Sequence, residues 1–254
     1  MGRRLDNARA LYLEGIRDGD YVEAIERYAG DRYIQHSTPV RDGKEGFVEF
    51  FADFIARNPV RDIEIVRGFE DGRHVFLQAV QTLNHGEYRY VTADIFDTDD
   101  EGRLIEHWDM IAEMGDVTAS GRGEVDGPTQ VDPDAPTDEN KATVARYVDE
   151  VLIPADFGRL GEFVHTDLAQ HVAPIADGAD GLRNHALATG LRYVERHNLI
   201  GSGDFVAVLA ELERSGTRHA VIDLYRLADG RIAEAWAVGE EITPRATWVN
   251  GGKF

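Results

Sequence analysis

The sequence predicts an α+β protein of two similar domains in tandem, and three observations carry that prediction. First, motifs recur about 130 residues apart, a period of domain size. Tyr33-Ile34-Gln35-His36 is answered by Leu168-Ala169-Gln170-His171, Asp94-Ile95-Phe96 by Asp223-Leu224-Tyr225, and Trp108 by Trp236. Second, apolar residues in each half recur three and four apart before they begin to alternate. Helices therefore precede a hairpin-linked meander and cover one face of a curved antiparallel sheet. Third, residues 115–140 are rich in Gly, Pro, Asp and Thr and poor in large apolar side chains. Such a stretch buries too little to offset its ordering entropy and reads as a linker. The expected boundaries are a first domain over 1–115, a flexible linker over 116–138 and a second domain over 139–254.

Each element has a local reason. Residues 5–17 have helical periodicity, and Asp20, with Glu23 three residues on, caps a second helix that runs to Tyr28. A third helix, 43–57, carries Phe47, Phe50, Phe51 and Phe54 at three- and four-residue spacing. It stops before Asn58-Pro59, because proline pushes the residue before it out of helical backbone. Strands follow near 60–69, 74–83, 87–96 and 104–113, divided by Asp71-Gly72, His85-Gly86 and Glu101-Gly102 turns. The second half repeats the order, with helices near 141–152, 156–164 and 180–189 and strands near 192–200, 204–214, 217–227 and 232–242.

The strand at 104–113 and its counterpart at 232–241 diverge on one face. Successive strand side chains point to opposite sides, so Leu104, Glu106, Trp108 and Met110 share one face and Ile105, His107, Asp109 and Ile111 the other. The counterpart keeps the first face as Ile232, Glu234, Trp236 and Val238. It reduces the second to Ala233, Ala235, Ala237 and Gly239.

Composition narrows the function classes. The chain has 47 acidic and 27 basic residues, a formal net charge of -20, which disfavours nucleic acid and anionic membrane surfaces as partners. No apolar stretch approaches a membrane span and no leader pattern opens the sequence, so a cytoplasmic protein is expected. With no cysteine, disulfides, thiolate nucleophiles and Cys-ligated zinc drop out together. Carboxylates, His and Tyr remain to do any chemistry.

Tyr33-Ile34-Gln35-His36, Gly43-Lys44-Glu45-Gly46-Phe47, Phe50-Phe51, Asp94-Ile95-Phe96 and the run Gly102 to Asp109 together resemble SnoaL-like polyketide cyclase-related proteins. These belong to the nuclear-transport-factor-two-like superfamily, which also contains ketosteroid isomerase and limonene epoxide hydrolase. The resemblance covers essentially all of the first repeat and, more weakly, the second. It implies two tandem cone-shaped α+β barrel domains, each with three N-terminal helices packed on a curved sheet. It also implies a pocket between helices and concave sheet, and a sheet-to-sheet pairing that a fused chain would reproduce as an intramolecular pseudo-dimer. An acidic residue at the position of Asp109 is implied as general acid or base, and His36, His107 and Asp94 match positions that are commonly polar.

Such a fold hosts many activities, so the residues must argue for one. Cofactor-free proton transfer at a carbon next to a carbonyl needs a base in an apolar setting and a donor for the developing oxyanion. Asp109 with Asp94 and one of His36 or His107 is a sufficient set. Tyr90 shares the side of Asp94 on its strand and, with Trp108 and Phe51, is a candidate substrate contact; Trp108 and the Phe series also read as packing residues. Ala235 and Ala237 replace His107 and Asp109 in the second domain, so its pocket is not expected to catalyse. The leading expectation is a cofactor-independent cyclase, isomerase or lyase acting on an apolar polyketide-like or terpenoid-like small molecule in the first-domain pocket. One alternative is a non-catalytic small-molecule binding or accessory protein, suggested by the small face Ala233, Ala235, Ala237 and Gly239. Another is an epoxide hydrolase, which requires an Asp-Arg-Asp network around water. A metal site of His36, His107, Asp94 and Asp109 has no compact ligand motif behind it, and neither metal nor cofactor is expected.

Overall fold

In a computed structural model that describes residues 2–115 and 117–254, the chain forms two compact units. Met1 and Asp116, the opening residues of the expected first domain and linker, lie outside the described residues. One unit comprises Met1–Glu113 and Thr243–Phe254, the other Met114–Ile242.

In the first unit, helix α1 (Arg3–Ala10) continues into a π-helical segment, Leu11–Arg17, and is followed by α2 (Tyr21–Tyr28), strand β1 (Ala29–Gln35) and α3 (Gly43–Arg57). Strands β2 (Arg61–Asp71), β3 (His74–Leu83), β4 (Tyr88–Thr98) and β5 (Leu104–Glu113) then run as an antiparallel meander. The sheet order is β1-β5-β4-β3-β2. The β2–β3 register shifts between Ile65 and Arg67, a bulge of the kind that bends and twists a strand locally. Leu11, Tyr12, Ile16, Ile25, Tyr33, Phe47, Ile63, Leu77 and Phe96 fill the space between the layers, with Phe51 and Phe54 packed against them.

The second unit repeats the plan. It has α4 (Thr137–Tyr147) with a π-helical continuation Val148–Leu152, a short α5 (Leu160–Phe163), β6 (Val164–Gln170), α6 (Gly178–Thr189), and then β7 (Arg192–Ser202), β8 (Phe205–Arg214), β9 (Thr217–Ala228) and β10 (Arg231–Glu241). Its order is β6-β10-β9-β8-β7. Both units are thus the α+β cones that the resemblance implies. No helix among the described residues is long and apolar enough to cross a membrane.

Two features are absent from the sequence reading. Strands β1 and β6 each pair parallel to the last strand of their own sheet, Gln35 beside His107 and Gln170 beside Ala235, so the sheets are mixed. Their seven-residue sequences, with exposed Asp31-Arg32 and Thr166-Asp167 in the middle, do not alternate cleanly enough to announce a strand. The second feature concerns boundaries. Segment Thr243–Phe254, expected with the second domain, packs in the first unit, and the described residues of the expected linker pack in the second. Hydrogen bonds replace the missing apolar side chains: Asn250 Nδ2 donates to the carbonyls of Ser37 and Val40 at 2.6 and 2.9 Å. In the second unit the Arg122 guanidinium pairs with Asp177 at 2.9 Å and Trp236 Nε1 donates to the Asp126 carbonyl at 3.0 Å.

Candidate active site

Strands β4 and β5 set Asp94 directly opposite Asp109 and Phe96 directly opposite His107, so these four side chains share the helix-facing side of the sheet. Asp94 is fully buried, at 0% exposure. Its Oδ1 accepts from the Tyr12 hydroxyl at 2.6 Å and meets His107 Nε2 at 3.0 Å, while Oδ2 accepts from the Thr92 hydroxyl at 2.9 Å. Burial pushes its carboxyl above the ordinary carboxylate range. The His107 and Tyr12 hydrogen bonds pull it down, and the nearby Asp109 charge pushes it further up. Burial, reinforced by Asp94, raises the Tyr12 hydroxyl well above its usual value, which keeps it a donor.

His107 is held at both ring nitrogens, Nδ1 against Gln35 Oε1 at 3.0 Å and Nε2 against Asp94, and it stacks on Phe96 with centroids 4.4 Å apart. Gln35 is fixed in turn because its backbone N–H donates to Asp42 Oδ1 at 2.9 Å, which ties the end of β1 to the start of α3. Asp109 is buried, and its Oδ1 and backbone carbonyl both meet the Lys253 ammonium, at 3.3 and 3.0 Å.

His107 and Asp109 line a cavity of about 80 Å³ whose remaining wall is mostly apolar: Leu11, Ile16, Val40, Phe47, Phe50, Phe51, Phe54 and Ile111. Tyr12, Gln35, Ser37 and Gln81 supply the other polar groups. A wider cavity of about 500 Å³ shares Phe54, Gln81 and Ile111 with it and is lined also by Arg57, Asn58, Asn84, Glu87, Tyr88 and Tyr90.

The expected site residues therefore divide. Asp94, His107 and Asp109 come together, Phe51 lines the inner cavity, and Tyr90 lines the outer one. His36 and Trp108 are not brought to them. They stack on each other at 4.7 Å with an interplanar angle of 7°, and His36 is spanned by Glu106 Oε1 at 2.9 Å and the Gly252 carbonyl at 2.6 Å. Glu106 and Trp108 alternate with His107 and Asp109 along β5, which places this stack on the opposite sheet face. The four-residue metal set is broken by the same alternation, and no metal-holding cluster of His, Asp and Glu occurs among the described residues.

Sequence reasoning missed Tyr12, Thr92, Gln35 and Lys253. Gln35 had a signal, its recurrence as Gln170, and Thr92 shares a strand face with Asp94. Tyr12 sits on the π-helical turn, and Lys253 arrives from 144 residues away along the chain with no local pattern to mark it.

In the second unit Asp223 lies opposite Ala237, and Tyr225 opposite Ala235. The Tyr193 hydroxyl donates to Asp223 Oδ2 at 2.7 Å, and Tyr225 also hydrogen-bonds Asp223. Tyr147, Tyr193 and Tyr225 pack with Ala235 in one core. Gln170 Oε1, which holds the place of the Gln35 oxygen that His107 meets, is buried without a hydrogen-bond partner. His171 repeats the His36 arrangement, stacked on Trp236 at 4.6 Å between Glu234 and the Gly123 carbonyl.

The model of the SnoaL-like domain family matches residues 8–107. Among solved structures, IdmH of Streptomyces antibioticus, a candidate polyketide cyclase, is similar at 19% identity with a TM-score of 0.39, over 43% of this chain and 92% of that one. A candidate ketosteroid isomerase from Kribbella flavida DSM 17836 is similar at 14% identity with a TM-score of 0.38, over 42% and 82%. An NTF2-like protein of unknown function from Cytophaga hutchinsonii ATCC 33406 is similar at 16% identity with a TM-score of 0.35, over 45% and 95%. No curated protein matches the chain. The chain carries a SnoaL-like domain over residues 8–107, and its two sheets fit two such domains in tandem.

Proposed function

We propose that the first domain is a cofactor-independent cyclase or isomerase that moves a proton at a carbon next to a carbonyl of an apolar polyketide-like or terpenoid-like small molecule. One observation carries the proposal: Asp109 and His107 reach an apolar cavity from one sheet face, with Asp94 behind them. In this reading the Asp109 carboxylate takes the proton, and Ser37 or Gln81 on the cavity wall donates to the enolate oxygen. Asp109 then returns the proton to the product carbon, while His107, held at both ring nitrogens by Gln35 and Asp94, fixes the polar wall beside it. The inner cavity takes the reacting end and the outer one the larger remainder, against Tyr90 and Tyr88. An epoxide hydrolase is less well supported, because the cation meeting Asp109 is Lys253 and not an arginine.

The test is deuterium incorporation from heavy water into a panel of fused-ring and alicyclic ketones, read by mass spectrometry. Asp109→Asn protein that still folds is expected to lose exchange by about 100-fold or more. Binding of panel members with no exchange by wild-type protein would point to the accessory, non-catalytic reading instead.

A further inference from the structure

We infer that Lys253 is a positioning residue for Asp109, delivered to the first-domain site by segment Thr243–Phe254. The inference rests on the reading of Asp109 as the base. The segment is fixed to the loop that follows β1. Val249 N–H donates to the Thr38 carbonyl at 3.1 Å, Asn250 spans the Ser37 and Val40 carbonyls, and His36 Nδ1 holds the Gly252 carbonyl. Gly252 has φ +107, a left-handed backbone, and a Cβ there would lie 2.2 Å from the Trp248 ring. Only glycine fits that bend without strain.

The register explains why the ammonium goes where it does. Parallel pairing along β5 ends where His36 N–H donates to the His107 carbonyl at 2.9 Å. The next carbonyl on that edge belongs to Asp109, and Lys253 Nζ takes it while also reaching the Asp109 carboxylate. Lys253 is 3% exposed and Asp109 6%. A buried ammonium is costly unless paired, so docking of the segment depends on the contact of Lys253 with the Asp109 carboxylate.

The other titratable groups facing Asp109 are Asp94 on β4, His107 on β5, Tyr12 on the π-helical segment and Tyr33 on β1. Asp94 is a second acidic group directly opposite Asp109, and Lys253 brings a counter-charge to the Asp109 carboxylate. The two carboxyl groups are thereby sorted, with the cation on Asp109 and the tyrosine, threonine and histidine hydrogen bonds on Asp94.

The experiment is ketone deuterium exchange by the full chain as wild type, Lys253→Gln, Lys253→Met and Lys253→Arg. Gln keeps a donor for the Asp109 carbonyl without the charge, so it serves if Met fails to fold. Exchange is expected to fall by about 10-fold or more in Gln and Met, with kcat falling more than KM changes, and to return toward wild type in Arg. Equal exchange in all four proteins would overturn the inference. If exchange is equal in all four while Asp109→Asn abolishes it, the Lys253 role fails and the base assignment stands. Reduced exchange in Lys253→Gln with fully active Asp109→Asn overturns the proposed function and the positioning role with it.

Discussion

Asp94 and Asp223 occupy equivalent strand positions and meet different partners, which makes them a matched pair of buried carboxyl groups. Asp94 has Tyr12, Thr92 and His107; Asp223 has Tyr193 and Tyr225. Burial pushes Asp223 up to about 7, against the pull of both tyrosine hydroxyls. A carboxyl raised in the folded state favours folding in full below its unfolded value near 4 and loses that contribution as pH climbs through about 7. Asp223→Asn removes the titration. Its stability relative to wild type is therefore expected to improve between pH 4 and pH 8, by on the order of 4 kcal/mol. Thermal unfolding at the two pH values checks this, and a pH-independent gap would contradict it.

Strands β1 and β6 show what an element contributes beyond its own residues. Each ends in a glutamine held by the aspartate before the next helix, Gln35 by Asp42 and Gln170 by Asp177, both at 2.9 Å. Only the first glutamine has a histidine to meet. Gln35→Met is expected to destabilise by about 1–3 kcal/mol, because it strands His107 Nδ1 in a buried site. Gln170→Met, which removes an oxygen already lacking a partner, is expected to cost less. Chemical denaturation of the two variants decides this, and a larger loss at Gln170 would contradict it. At this scale the sequence spoke unevenly. The Phe47, Phe50, Phe51 and Phe54 stripe of α3 and the alternation in β2 to β5 were legible because one buried face imposes a period. The short parallel strands were not, since their partners lie some 70 residues away and their centres are exposed. The recurrence of His36 as His171 was legible as a position and ambiguous as a role. Both histidines stack on tryptophan and hold a carbonyl of a returning segment, so the recurrence reports architecture.

For the whole molecule, the repeat made the tandem organisation plain, and the asymmetry between His107/Asp109 and Ala235/Ala237 named the strand face on which the units differ. What no local pattern could supply was the assignment of segments to units, because the groups that dock them, such as Asn250, Gly252 and Lys253, are ordinary loop residues until their distant partners are known. The second unit has also been refilled as well as emptied, with Tyr193 and Tyr225 hydroxyls on Asp223 beside Ala235. In the proposed function, proton transfer belongs to the first domain alone. The most direct test compares ketone deuterium exchange by Asp109→Asn and Asp223→Asn chains under the same conditions. A loss of about 100-fold or more is expected for Asp109→Asn and a wild-type rate for Asp223→Asn. Full activity in Asp109→Asn, or a matching loss in Asp223→Asn, would contradict it.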